Sequence, residues 1–168
     1  MGTHALVMEF DHEAKTTRRM LERVPEDKWD WKPHEKSMTM KQLTTHIAEM
    51  PGWLPMMLQT KELDMGAGNY FEPAKVNNRK ELVALFDANV AKMREALAGA
   101  TDEVMKENWA LRNGETVIFS QPKAGVLRGM IVNHLIHHRG QLSVYLRLND
   151  VPVPSIYGPS ADEQSAPS

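Results

Sequence analysis

Apolar residues recur every three or four positions in four stretches of the chain, and that spacing is typical of amphipathic α-helices. The stretches are residues 3–24, 39–57, 78–99 and 122–148. Pro25 ends the first stretch. Pro51 and Pro55 should kink or loosen the second, because a proline inside a helix removes a backbone hydrogen bond. The pattern predicts four helices with a weak point in the second.

Capping residues support two of the predicted helix starts. Thr39 precedes Gln42 by three positions, and Asn78 precedes Glu81 by the same interval. This spacing is typical of an N-cap, whose side chain accepts a hydrogen bond from the first turn while a Glu or Gln side chain reaches back. We therefore expect the second and third helices to begin at these residues.

The segment 109–120, WALRNGETVIFS, follows a different pattern from the helices. Its two short runs flank Asn113-Gly114, the dipeptide that most strongly favours a two-residue hairpin turn. The segment predicts a small β-hairpin between the third and fourth helices. The expected fold class is otherwise all-α.

The chain of 168 residues is most simply one domain with a sizeable core, which we place at residues 1–160. Residues 161–168 are small and polar, and we predict that they form a disordered tail. A net charge of −2 gives no basic surface for nucleic acid. No apolar run approaches the length of a membrane span. The absence of cysteine excludes disulfides and a thiol nucleophile, and it suits a cytoplasmic location.

The fourth predicted helix carries a pair of histidines on its apolar side. His134 and His138 are four residues apart, so they project about 40° from one another, on the side of Leu135 and Leu142. A buried imidazole needs partners for its nitrogens. Two on one face could hold a metal ion together, or each could be a core histidine with a backbone or side-chain partner. Both interpretations stay open from the spacing alone.

His46 lies at the edge of the apolar stripe of the second predicted helix. Alone, it would more often fill the core than bind a metal, but it could complete a site begun by the histidine pair. Glu49, three residues later, could contact a metal, orient an imidazole, carry a proton or simply be solvated.

Three stretches together resemble the DinB family of bacterial damage-inducible proteins. They are TTHIAEM around His46, the helix NHLIHHRGQLSVYLRL and the tail VPVPSIYGPSADE. The resemblance covers nearly the whole chain, from the DWKP loop to the tail. It implies a four-helix bundle with crossover connections, often a homodimer, and a divalent metal ion on His46, His134 and His138. The expected ion is zinc or nickel, with cobalt, iron or manganese as alternatives.

The resemblance also implies a chemistry. Family activities are mostly thiol-dependent transfers, so we expect transfer of sulfur from a low-molecular-weight thiol to a small electrophile. The sulfur must come from the ligand, because the chain has no cysteine. Glu49, Gln141 and Tyr145 are the expected catalytic groups, as proton carriers or orienting residues. The alternatives are a metal-hydroxide hydrolase and a non-catalytic metal-binding protein of stress response or partner binding.

Overall fold

The structure is a computed structural model that describes residues 3–68 and 73–164. Its α-helices are α1 (Thr3–Leu21), α2 (Met40–Glu49), α3 (Trp53–Gln59), α4 (Arg79–Gly99), α5 (Asp102–Lys106), α6 (Lys123–Val126) and α7 (His134–Leu148). Its strands are β1 (Glu62–Asp64), β2 (Asn108–Asn113) and β3 (Thr116–Pro122). Short 3₁₀ turns lie at Glu26–Lys28, Met50–Gly52 and Met65–Ala67.

The prediction of an all-α four-helix bundle is wrong, because the fold is mixed α/β with a three-stranded sheet in the order β1-β2-β3. The predicted hairpin forms β2 and β3, which pair antiparallel. The sequence pattern missed β1, which pairs parallel with β2 so that Leu63 lies beside Leu111. A parallel partner cannot come from the same hairpin, so β1 joins the loop after α3 to a strand far along the chain.

The second predicted helix is divided into α2 and α3 at Pro51. Near this break the Asn89 side chain of α4 donates a hydrogen bond from Nδ2 to the Ala48 carbonyl at 2.9 Å. The Ala48 carbonyl lies near the end of α2, where backbone carbonyls lack partners within the helix, and Asn89 of α4 supplies a hydrogen-bond donor there. The predicted loosening of the helix after His46 is confirmed. The bond to Ala48 explains why α4 carries the polar residue Asn89 within its apolar stripe.

The helices α1, α2, α4 and α7 contact one another in a ring, with α1 on α4, α4 on α2, α2 on α7 and α7 on α1. Their apolar faces form one core in which Phe10, Leu43, Phe86 and Leu142 are at most 1% exposed. Thr39 and Gln42 form the predicted capping box at the start of α2. The packing sets α2 beside α7, the two helices that carry the candidate metal ligands.

A π-helical segment, Leu127–Asn133, joins α6 to α7. The chain from Lys123 to Leu148 is therefore continuous helix with a wider turn just before His134. In a π turn each backbone amide bonds five residues back rather than four. The angular relation between His134 and His138 is that of an α-helix, because both lie in α7 after the wide turn.

A buried ion pair joins α1, α7 and the segment after α7. Arg139 Nη2 lies 2.7 Å from Glu13 Oε2 and donates to the Tyr157 hydroxyl at 2.7 Å. The Tyr157 hydroxyl donates in turn to Glu13 Oε2 at 2.9 Å. Arg139 is 1% exposed and Glu13 is 5% exposed, so neither charge has water as a ready alternative partner. The pair holds α7 in one rotational position against α1.

Part of the predicted tail is described and makes hydrogen bonds. Asp162 Oδ2 accepts from Arg147 Nη2 at 2.5 Å, and Glu163 Oε2 accepts from the Ser155 backbone amide at 2.9 Å. Residues 165–168 lie outside the described part of the chain. The domain boundary at residue 160 and the disorder of 161–168 stay predictions.

Within residues 3–68 and 73–164, no helix has both the length and the apolar character that crossing a lipid bilayer requires.

Candidate metal centre

The three histidines selected from the sequence meet between α2 and α7. One ring nitrogen from each of His46, His134 and His138 lies within 4.8 Å of the others. The ring centroids are 4.6 Å apart for His134 and His138, 4.9 Å for His46 and His138, and 5.1 Å for His46 and His134. Two helices therefore bring together a group of nitrogen donors that could hold a metal ion.

Hydrogen bonds fix the orientation of the two rings on α7. His134 Nδ1 donates to the Met130 carbonyl at 3.2 Å, and His138 Nδ1 donates to Gln141 Oε1 at 2.6 Å. A neutral imidazole that donates from Nδ1 has a lone pair on Nε2. The two Nε2 atoms face each other at 2.8 Å. Two lone pairs at this distance repel unless a cation or a proton lies with them, so the arrangement fits a metal ligand pair.

Burial keeps the three imidazoles in the neutral form that binds metals. Burial, together with the neighbouring His138 and His134, lowers the pKa of His46 from 6.5 to about 4. Burial also lowers the pKa of His134 and that of His138, although the bonds to Met130 and Gln141 act in the opposite direction. Metal binding to histidine requires the neutral ring, so little proton release opposes it near pH 7.

Gln141 and Tyr145, two expected catalytic residues, have different surroundings. Gln141 contacts the site through its bond to His138 Nδ1, the kind of outer partner that orients a ligand imidazole. Tyr145 donates from its hydroxyl to the Met38 carbonyl at 3.1 Å, and its ring meets Trp31 edge-on. The structure brings Tyr145 to neither the histidine group nor the two cavities described below. A catalytic role for either residue stays a prediction.

Glu49, the third expected catalytic residue, lies next to the histidine group without belonging to it. Its Oε1 accepts a hydrogen bond from the Ala74 backbone amide at 2.5 Å. Burial raises the pKa of Glu49, and the Ala74 bond partly offsets the rise. Glu49 and His46 line both of the cavities described below, so ligands in the two cavities could meet at these residues.

An apolar cavity of about 360 Å³ opens beside His46. Its volume falls within the range of small-molecule binding sites. Its wall consists of His46, Glu49, Trp53, Met56, Met57, Leu63, Asp64, Met65, Pro73, Trp109, Leu111, Val126, Met130 and Ile131. The strands β1 and β2 supply Leu63, Asp64, Trp109 and Leu111. The three-stranded sheet, whose strand β1 was not predicted, thus forms one wall of the cavity.

A second, more polar cavity of about 370 Å³ borders His46 and Glu49. Its wall consists of Met38, Lys41, Gln42, Thr45, His46, Glu49, Pro73 and Ala74. Thr45 is 4% exposed, and its hydroxyl has no hydrogen-bond partner among the described residues. A buried hydroxyl without a partner is costly.

Comparisons with known proteins agree with this fold. The family model of the DinB family matches residues 1–167 of the chain. The chain is 25% identical over 146 residues to the uncharacterized protein YjoA of Bacillus subtilis, across 86% of this chain and 89% of that protein. The crystal structure of YjoA, a DinB-like protein, matches with a TM-score of 0.70 at 20% identity, covering 95% of this chain and 99% of that one.

A more distant structural relative has a named activity. A crystal structure of a mutant of the mycothiol-dependent maleylpyruvate isomerase matches with a TM-score of 0.55 at 10% identity. The match covers 92% of this chain and 63% of that one. At this identity the likeness concerns the fold alone.

Proposed function

The chain belongs to the DinB family, and we propose that it is a metal-dependent enzyme whose divalent transition-metal ion is held by His46, His134 and His138. The observation that carries the proposal is the pair of facing Nε2 atoms, 2.8 Å apart, on rings whose Nδ1 atoms both donate hydrogen bonds. A divalent ion on three neutral imidazoles keeps a position for another ligand and lowers the pKa of a thiol or a water bound there.

The finer proposal is transfer of sulfur from a low-molecular-weight thiol to a small electrophile. It is supported by two cavities of different character that share His46 and Glu49, because such a reaction needs room for two substrates. The polar cavity, with Lys41 and Gln42 in its wall, suits the polar body of a thiol cosubstrate. The name of the mycothiol-dependent relative gives further support to a thiol.

Glu49 is the proposed proton acceptor. Its raised pKa makes the carboxylate a stronger base than an exposed glutamate, and the Ala74 amide fixes the carboxyl group. The thiol gives its proton to the Glu49 carboxylate, and the sulfur uses the freed electron pair to bond to the electrophilic carbon. The group that leaves this carbon takes the electrons of the broken bond. Gln141 acts through His138 as an orienting residue.

The test is titration of the cobalt(II)-substituted protein with bacillithiol, mycothiol and glutathione, followed by absorbance and by proton release. Binding of sulfur to cobalt produces a charge-transfer band that nitrogen and oxygen ligands do not. The expected result is such a band with one of the thiols, followed by turnover with an electrophile that is lost in His46→Ala. Glu49→Gln should weaken the band and the turnover together, because the thiol then lacks its proton acceptor.

The absence of a charge-transfer band with all three thiols would overturn the proposal of sulfur transfer. It would leave hydrolysis, or a non-catalytic role of the metal, as the function of the site. The identity of the ion, with zinc or nickel expected first, and the homodimer stay predictions.

A further inference from the structure

The wall of the apolar cavity is built mostly from side chains of the protein core. Met57, Val126 and Ile131 line it from three different parts of the chain, and each is at most 2% exposed. Side chains of this kind offer a ligand no strong hydrogen-bond partner. They stabilise an apolar group that leaves water, in proportion to the area that the group buries.

The titratable residues in the described part of this wall are His46, Glu49 and Asp64. Asp64 is engaged by the protein itself, because its Oδ1 accepts hydrogen bonds from the backbone amides of Gly66 and Gly114, each at 2.8 Å. His46 and Glu49 also line the polar cavity, and His46 belongs to the histidine group of the metal centre. The polar contacts that a ligand of the apolar cavity can make therefore lie beside the metal centre.

Two further residues of the wall join the apolar cavity to the metal centre. The ring centroid of Trp53 lies 5.5 Å from that of His46 and 6.1 Å from that of His134. Met130 lines the cavity, and its carbonyl accepts the hydrogen bond from His134 Nδ1 at 3.2 Å. A molecule bound with one end at the metal centre can therefore extend along Trp53 and Met130 into the apolar cavity.

We propose that the electrophilic substrate is amphiphilic, with a polar reactive end at the metal centre and an apolar body, alkyl or aryl, in the apolar cavity. The inference rests on the proposed function, which supplies the metal ion and the role of substrate. The charge of the reactive end does not enter it, because a divalent ion on His46 can bind neutral and anionic oxygen ligands alike. The cavity wall selects the apolar body, so the length of that body should set the affinity.

The experiment is titration of the cobalt(II)-substituted protein with acetohydroxamate, butanohydroxamate and hexanohydroxamate, which share a metal-binding head and differ only in the number of methylenes. The absorbance of the cobalt ion gives the dissociation constant of each. Affinity should rise about fourfold for each added methylene, equivalent to about 0.8 kcal/mol. Equal dissociation constants for the three would overturn the inference and leave the metal centre intact. No spectral change with any of them, acetohydroxamate included, would overturn the proposed function and the inference with it.

A variant of the wall locates the apolar body. Leu111→Asp places a charge in the part of the wall that β2 supplies, and it should abolish the gain in affinity from acetohydroxamate to hexanohydroxamate. Val117→Asp introduces the same charge on β3 at a valine that is 56% exposed, and it should keep the gain. Equal gains in the two variants would place the apolar body elsewhere and overturn the inference. If Leu111→Asp fails to fold, the series with the wild-type protein still decides.

Discussion

Gly52 lies so close to Asn89 that a Cβ atom on Gly52 would be 2.8 Å from Asn89 Oδ1. Asn89 cannot easily withdraw, because its side chain is buried and Nδ2 donates to the Ala48 carbonyl at 2.9 Å. The contact joins α4 to the break between α2 and α3, close to His46. Only a residue without a side chain allows this approach.

Gly52→Ala should lower the free energy of unfolding by about 1–3 kcal/mol, the usual cost of adding a methyl group to a closely packed site. Urea unfolding of the metal-free protein measures it, because bound metal would add its own stabilisation. Gly99→Ala is the matched control, since a Cβ there meets nothing within 4 Å. If both variants are as stable as the wild type, the Asn89 contact is looser than described.

Glu13→Ala should destabilise the protein by about 3–5 kcal/mol, because it leaves the buried Arg139 guanidinium without its carboxylate. Asp11→Ala on the same helix removes the exposed ion pair with Arg94 and should cost at most about 1 kcal/mol. Thermal or urea unfolding compares them. Similar losses for the two variants would mean that the Arg139 pair does not anchor α7.

His138→Ala should abolish metal retention, because the two remaining imidazoles form a weak site. Elemental analysis after dialysis should find about one divalent ion per wild-type chain and almost none in the variant. His34→Ala, in an exposed loop, should retain the wild-type content. Undiminished metal in the His138 variant would refute the ligand assignment.

Gln141→Ala should raise the dissociation constant of the metal about 10–100-fold, the usual cost of losing the group that orients a ligand imidazole. The fold should be little affected, since Gln141 is exposed. Competition with a chromogenic chelator gives the constant. A variant that binds as tightly as the wild type would show that the His138 ring is held by packing alone.

The metal-free protein should lose stability as the pH falls from 6.5 to about 4. Burial and, after it, the neighbouring His138 and His134 lower the pKa of His46 from 6.5 to about 4 in the folded protein, so in this window the unfolded chain binds more protons. The free energy of unfolding therefore rises with pH there. Urea unfolding at several pH values should give a shallower dependence for His46→Ala than for the wild type. Carboxylates titrate in the same range in every variant, so the difference between variants isolates His46.

The helices and their caps could be predicted because their signals are local. The third predicted helix, 78–99, agrees with α4, and Asn78 accepts from the Glu81 amide as the spacing predicted. The i and i+4 spacing of His134 and His138 fixed their common face. His46 reaches them because α2 packs on α7. This packing could be expected from the family resemblance but not from helical periodicity alone.

The strand β1 could not be predicted in the same way. It has three residues, too few for an alternating pattern, and its partner residues in β2 lie far along the chain, Leu63 opposite Leu111. The apolar cavity was hidden for a related reason. Met57 and Trp109 line it, yet in sequence they are indistinguishable from core residues.

The buried pair of Glu13 and Arg139 did leave a signal that the sequence analysis passed over. Glu13 follows Phe10 by three residues and Arg139 follows Leu135 by four, and this spacing places each charged residue beside the apolar stripe of its predicted helix. Two opposite charges on faces that must be buried favour a pair between those helices.

Because of the π-helical segment Leu127–Asn133, the last helix can lose one residue there and still keep the orientation of its later side chains. A π turn holds one residue more than an α turn, so deleting a residue there could restore α geometry without changing the phase of the helix beyond it. His134 and His138 would still face His46. The same deletion between His134 and His138 would rotate one ring about 100° away from the other. Variation in length on the amino-terminal side of the centre is therefore compatible with an intact set of ligands.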